Sequence, residues 1–367
     1  MRDGAPDELF TGFIDYQPTI SAWLNDELLT ADIPVISGRA TWSRSQQVMD
    51  GLSFTVPRWD RGVDYLPGKD PEHPLAQFGQ RLCASITVRS MTTGLDYTTD
   101  LGWFPIQTWT DEGDVVKIEA KGLLQLAADD KLLAPIAPRT AGTLMSEFRR
   151  LLPDGLRVSF DPALVDRAVP QTVEWAEDRL ASLYEIVDSW PARLLVLGDG
   201  SLHVAPPLPD VVDAVVTLED GARGTLVGAP SSGTREGIYN VVVVRSRKAD
   251  SPQQAPVQAV ATAPRPSGMF AEIPAITGII PSRLTSDVLE AQAVADATIR
   301  AGLRLGQTLP VECAPDPRIE LDDGVLVQKG FLETRGEWDL RERGYVTGVD
   351  LPLTADDGSM RIDVGIV

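Results

Sequence analysis

The chain has little of what most catalytic and nucleic-acid-binding proteins depend on. It holds two histidines, His73 and His203, among 367 residues, and neither has a second ligand at a zinc-like spacing. No metal and no cofactor are expected. The two cysteines, Cys83 and Cys313, lie far apart in sequence and read as isolated buried thiols, not as a disulfide framework. Basic residues are in deficit: 33 Lys and Arg stand against 53 Asp and Glu, for a net charge of −20. Such a surface repels phosphate, which argues against specific nucleic-acid binding through counterion release. Long apolar runs are missing too. None approaches the ~20 residues that span a bilayer, so no membrane anchor is expected. The start, Met1-Arg-Asp-Gly-Ala-Pro-Asp-Glu8, is polar and acidic, unlike a secretory leader, which places synthesis in a cytoplasm.

What is present is β texture around one stretch, Gly237-Ile-Tyr-Asn-Val-Val-Val-Val-Arg-Ser246. Tyr239 and the valines Val241 to Val244 are β-formers, and the run is too short for a typical helix. It lacks polar alternation at its centre, so it reads as a strand covered on both faces. A second β-like run, Val257 to Thr262, follows, then one helix signal from Asp287 to Leu303 and several short strands. Ser286 reads as the N-cap of that helix, and Val288, Ala291, Ala295, Ile299 and Gly302 as its small-residue stripe. Asp220 reads as an exposed turn residue before this region.

Upstream, about seven short strands separated by turn signals read as an antiparallel sandwich or barrel. They run from Leu9–Tyr16, through a turn at Asn25-Asp26, to Val115–Ala120. Leu52, Phe54 and Val56 carry the period of two of a half-buried strand. The texture changes at Ala134-Pro-Ile-Ala-Pro138. Helices are predicted over Thr140–Leu152 and Asp178–Trp190, and a hairpin joins Arg193–Leu197 to Ser201–Ala205. Asp199-Gly200 between them favours a type I′ turn. The expectation is an α+β, mainly β chain of three units. Residues 1–134 form a first β domain, 135–210 a small α+β insert, and 211–367 a second β domain with one packing helix at about 287–303.

Reactive constellations are weak. Gly228-Ala-Pro-Ser-Ser-Gly233 is rich in glycine and serine, but Pro230 and the spacing break a nucleophile elbow. Asp129-Asp130, Asp322-Asp323 and Asp356-Asp357 are adjacent pairs, whereas glycosidase carboxylates face each other ~5–9 Å apart. Turn chemistry accounts better for the last two pairs, which precede glycine. Trp23, Trp42, Trp59, Trp103 and Trp109 fall in the first β region. They suit core or interface packing first, and a sugar-stacking platform second.

In this order the pieces resemble the baseplate-hub (tail-hub) proteins at the tail tip of long-tailed phages, of the actinobacteriophage minor-tail-protein type. The resemblance runs from about Pro34 to Leu353 and is carried by Tyr239–Val244 followed by Val257–Thr262, and by Arg193–Ala205. It implies two tail-tube-like antiparallel β domains flanking the insert, and a non-enzymatic virion protein that assembles as a homotrimer. Three chains then present six quasi-equivalent β domains, which adapts a six-fold tail to a three-fold tip. The implied neighbours are a distal tail protein ring, the tape measure protein and downstream tail-tip or fibre proteins. An acidic lumen wall lets DNA slide past unbound. The competing expectation is a carbohydrate-binding or wall-degrading, glycosidase-like tail-tip protein.

Overall fold

The computed structural model describes residues 1–12, 14–222, 224–230, 239–246, 257–262, 276–285, 287–306, 308–332 and 337–366. The first region contains β1 (Ile14–Leu24), β2 (Glu27–Thr30), β3 (Ser37–Ser43), β4 (Asp50–Pro57), β5 (Trp59–Asp60), β6 (Val63–Asp64), β7 (Gln80–Ser90), β8 (Asp96–Asp111) and β9 (Val115–Lys121). A short helix, α1 (Leu124–Asp129), follows. Alternation is strict where the sequence shows it: Leu52, Phe54 and Val56 on β4, and Leu82, Ala84, Ile86 and Val88 on β7, are all buried. The predicted turn joins β1 to β2, with Asn25 in the left-handed region at φ 53°. The strand expected from Leu9 begins only at Ile14. Residues before it are held elsewhere, because Arg318 donates to the Ala5 carbonyl and to Asp7, and its guanidinium lies 4.3 Å above the Phe10 ring.

The insert comprises α2 (Leu144–Leu151), β10 (Val158–Phe160), α3 (Arg179–Ser189), β11 (Arg193–Val196) and β12 (Leu202–Ala205). Thr143 and Asp178 cap the helices by accepting from Ser146 N and Ala181 N. Of the stripes that the helical period predicts, Leu144, Phe148 and Leu151 on α2 and Leu180, Leu183 and Val187 on α3 are buried with Trp175, while Tyr184 is half-buried. Buried Glu147 accepts from Arg150, Trp175 Nε1 and Arg139 N, and these bonds hold its pKa below the ordinary value against the effect of burial. The hairpin turn is not type I′. Gly200 has φ 82° but Asp199 does not have positive φ. Gly200 N donates to Leu197 O and Leu197 N to Ser201 O, so the loop is a tight turn followed by one left-handed residue.

The last region contains β13 (Val216–Glu219), β14 (Leu226–Gly228), β15 (Val241–Ser246), β16 (Gln258–Thr262), β17 (Thr277–Ser282), α4 (Val288–Gly306), β18 (Thr308–Cys313), β19 (Gly324–Leu332), β20 (Glu337–Pro352) and β21 (Met360–Ile366). Asp287 accepts from Glu290 N in the first turn of α4; Ser286, the predicted N-cap, lies outside the described residues. Ala291, Ala295 and Ile299 are buried as expected, but Val288 is 57% exposed and Val294 takes its place. Asp220 is not an idle turn residue either. It is half-buried and accepts from Gly330 N at 2.9 Å.

Thirteen strands form one sheet, in the order β14-β18-β21-β20-β3-β4-β9-β8-β7-β1-β2, with β19 on β20 and β13 on β19. The β20–β3 pairing (Gly348 to Ser43, Pro352 to Arg39) joins the chain's first and last regions, and one core draws residues from Ala5 to Val364. Two strands of 16 residues each change partners along their length. β8 pairs with β7 from Asp96 to Pro105 and with β9 from Ile106 to Asp111, with an irregularity at Ile106/Thr108. β20 pairs with β19 from Glu337 to Tyr345, with β21 from Gly344 to Asp350 across an irregularity at Val346/Gly348, and with β3 from Gly348 to Pro352. Most pairs are antiparallel; β10–β12, β13–β19 and β15–β17 are parallel. A separate three-stranded sheet, β16-β15-β17, carries α4 on one face. The fold is α+β and mainly β. Among the described residues no helix is long and apolar enough to cross a membrane.

Candidate functional site

A cluster of half-buried charge lies where the insert meets both β regions. Arg44, just past β3, reaches Asp322 from its Nε at 3.0 Å and again through Nη2, while its Nη1 donates to Leu194 O at 2.7 Å. Arg193, which opens β11, donates from Nη1 to the same Asp322 carboxylate and from Nε to Pro206 O. Asp322 stands in the left-handed region at φ 73° in the turn before β19, a conformation that aspartate tolerates. Beside it, Asp323 accepts from the Met1 amine at 2.5 Å and from Glu320 N at 2.9 Å. Arg2 lies 4.5 Å over the Trp42 ring. One carboxylate thus clamps three segments of chain.

These residues enclose a cavity of about 220 Å³ that also borders Asp50. Asp50 is buried at the start of β4. Burial pushes its pKa up to about 7, against the opposing pull of Arg2 and Arg44. A second cleft of about 410 Å³ lies on the other side of Asp322, walled by Tyr184, Leu194, Leu208 and Ala297. The arrangement is that of a clasp, in which the charges neutralise one another. Neither its role nor its members were visible in the sequence, where Asp322 has only turn chemistry. The one signal available was a carboxylate pair before a glycine, and that pattern is common to harmless turns.

The sequence candidates do not converge. Asp129 accepts from Gln125 and Asp130 pairs with Arg179 at 3.0 Å. Asp357 accepts from Gly38 N, Thr354 N and Thr354 Oγ1. His73 donates from Nε2 to Asp64 O while its Nδ1 accepts from Leu75 N, and His203 Nδ1 bonds Ser159 Oγ at 2.8 Å. Among the described residues no three His, Cys, Asp or Glu side chains gather as a metal site. Both cysteines are free thiols; Cys313 is buried and Cys83 half-buried, and burial pushes their pKa values up to about 12 and about 11. Gly228 ends β14 and Ser231–Gly233 lie outside the described residues.

The tryptophans make no row. Trp42 is buried, Trp59 is 62% exposed on the β5–β6 ribbon, and Trp109 donates to Gln77. Only Trp23 and Trp103 meet, with centroids 5.7 Å apart, beside a cleft of about 400 Å³ that Asp26, Arg81, Arg157 and Asp199 also line. Trp103 packs so closely over Gly200 that a Cβ there would stand 2.8 Å from the indole.

No protein-family model and no curated protein sequence matches the chain. Solved structures do match. A tail protein from Neisseria meningitidis aligns with 95% of this chain and 96% of its own, at TM-score 0.62 and 12% identity. The 43 kDa tail protein of prophage MuSo2 from Shewanella oneidensis aligns over 95% and 98%, at 0.58 and 12%. A prophage tail protein of Listeria monocytogenes aligns over 94% of each chain, at 0.53 and 13%. Identity this low speaks to architecture, and the architecture agrees over nearly the whole length in all three. This chain has the fold of these phage tail proteins.

Proposed function

We propose that this chain is a structural protein of a phage tail tip. As a trimeric baseplate hub it closes the distal end of the tail tube, adapts a six-fold tail to a three-fold tip and forms part of the DNA-ejection channel. The observation that carries this reading is the two-way alignment with tail proteins over more than nine-tenths of each chain. One 16-residue strand in each region, β8 and β20, supports a pair of quasi-equivalent β domains, 1–134 and 211–367, on either side of the insert 135–210. The partners in this reading are two further copies of the chain, a distal tail protein ring, the tape measure protein and downstream fibre proteins. DNA passes without specific binding, past a surface carrying a net charge of −20. The protein is made in the host cytoplasm and resides in the virion.

Light scattering of the purified chain and a projection image of the tail tip carrying it test the assembly. Three-fold symmetry is expected; a monomer at all concentrations, together with a tip lacking three-fold symmetry, sinks the reading. The protein is no enzyme in this reading, so it releases no sugar or peptide from cell-wall polymer. Release that a single Asp or Glu substitution abolishes would show otherwise. One observation favours carbohydrate binding as a second reading: the Trp23–Trp103 pair beside its cleft. Oligosaccharides that quench tryptophan fluorescence in the natural chain but not in Trp23→Ala would support it.

A further inference from the structure

The β16-β15-β17 sheet has two unlike faces. Val242 and Val244 turn toward α4 and are wholly buried with Ala259, Ala261 and Ala295. On the other face Val243 pairs with Val260 of β16 and Ile279 of β17. Val243 is only 8% exposed, being flanked in the plane of the sheet, but Val260 is 47% and Ile279 58% exposed. Arg245, Gln258 and Thr277, which share this face by register, add one positive charge, and no described residue on the face is acidic. A run of four valines lacks the polar alternation of a strand with one wet face. Helix α4 covers one face; on the other, Val260 and Ile279 stand about half exposed.

We propose that this face seats against a second copy of the chain, as one of the subunit contacts of the trimeric ring; the inference rests on the trimer reading above. Two arguments select that occupant. Three strands ~4.8 Å apart and five residues of ~3.3 Å rise cover only ~240 Å², far short of the ~800 Å² per partner that a stable two-body interface buries. The face is therefore part of a larger contact, as in a ring where each subunit touches two neighbours through different surfaces. The second argument is charge. Pairing the face with itself would bring two cationic, acid-free surfaces together. Packing it head to tail sets it against another part of a chain with 53 acids and 33 bases, and head-to-tail contacts are those that close into rings.

The experiment compares the natural chain with Val260→Asp, Ile279→Asp and the double variant, by light scattering over a concentration series and by thermal unfolding followed by circular dichroism. Both side chains are already half in solvent, so each variant should fold with an unchanged melting transition. The natural chain should show the mass of three copies, and the double variant that of one, with the dissociation constant raised at least ~100-fold, the order expected from losing ~2.7 kcal/mol at the contact. Val242→Asp, beneath α4, gives the signature of an unfolded sheet for reference. Variants that remain three-copy assemblies overturn the proposal while leaving the trimer itself intact. Variants that unfold like Val242→Asp also overturn it, because the face is then covered from within the chain. A natural chain that is monomeric throughout refutes the trimer reading first, and this contact with it.

Discussion

Replacing Asp50 by asparagine isolates the electrostatic cost of the buried junction. The Asp50 carboxyl is buried at the start of β4, with its pKa raised from 3.8 to about 7. The Nε of neighbouring Arg2 has no hydrogen-bond partner, and Glu320 Oε2 lies 3.9 Å from it. The folded state therefore holds a proton that the unfolded chain has already released. The sign follows: this contribution to stability is fully present below pH ~4 and is lost as pH rises toward 7. The slope is at most ~1.4 kcal/mol per pH unit, and the whole interval amounts to about 4 kcal/mol. Asp50→Asn is neutral throughout, so it should match the natural chain near pH 4 and exceed it by up to ~4 kcal/mol at pH 8. Urea unfolding from pH 4 to 8, followed by tryptophan fluorescence, reads the difference. Trp42, beneath Arg2 in the same cluster, is well placed to report it. Burial shifts Asp323 and Asp363 in the same direction, while hydrogen bonds shift Asp96 and Asp199 the other way; subtracting the two curves removes all four. A stability difference that does not change with pH, or a less stable variant at pH 8, would refute the reasoning.

Val242→Asp places an unpaired carboxylate under α4, at a cost of several kcal/mol against a typical total of ~5–15; amide exchange in β15–β17 and α4 should rise to that of unfolded chain. Asp322→Ala leaves the half-buried Arg44 and Arg193 side by side without their shared counter-charge, so the midpoint of urea unfolding should fall by the equivalent of ~1–3 kcal/mol. Asp220→Ala removes the acceptor for Gly330 N and should cost ~1–3 kcal/mol in the same assay, where an exposed turn residue would cost almost nothing.

Legibility in the sequence follows the range of the interactions. The period of two through Leu52, Phe54 and Val56 is local and predicts β4 well, as the 3.6-residue period of Leu144, Phe148 and Leu151 predicts α2. Local turn chemistry also succeeds at Asn25-Asp26. It fails at Asp199-Gly200, where Trp103 and the neighbouring backbone choose the loop. The start of β1 was misplaced because Phe10, apolar and next to a strand, is claimed by Arg318 from the far end of the chain. Val288 fits the helical period of α4 but sits in its first turn, before the helix reaches the small sheet, and so it is exposed. The β20–β3 pairing and the Arg44–Asp322–Arg193 clamp join residues so far apart in sequence that no window of residues contains the signal.

The β20–β3 pairing has a consequence for biosynthesis. Strand β3 leaves the ribosome roughly 300 residues before its partner, which at ~5–20 residues per second is about 15–60 s. For that time β4 covers one of its edges and the other is bare, open to any strand of a neighbouring nascent chain. Arg39 lies on that strand and puts a hydrated charge where mispairing would begin. Once residue 350 emerges, the same guanidinium bonds the Asp350 side chain and the carbonyls of Asp357 and Ser359. One side chain thus places a charge against mispairing at a bare edge and later latches the β20–β3 seam, so a chain that lacks β20 keeps that edge exposed.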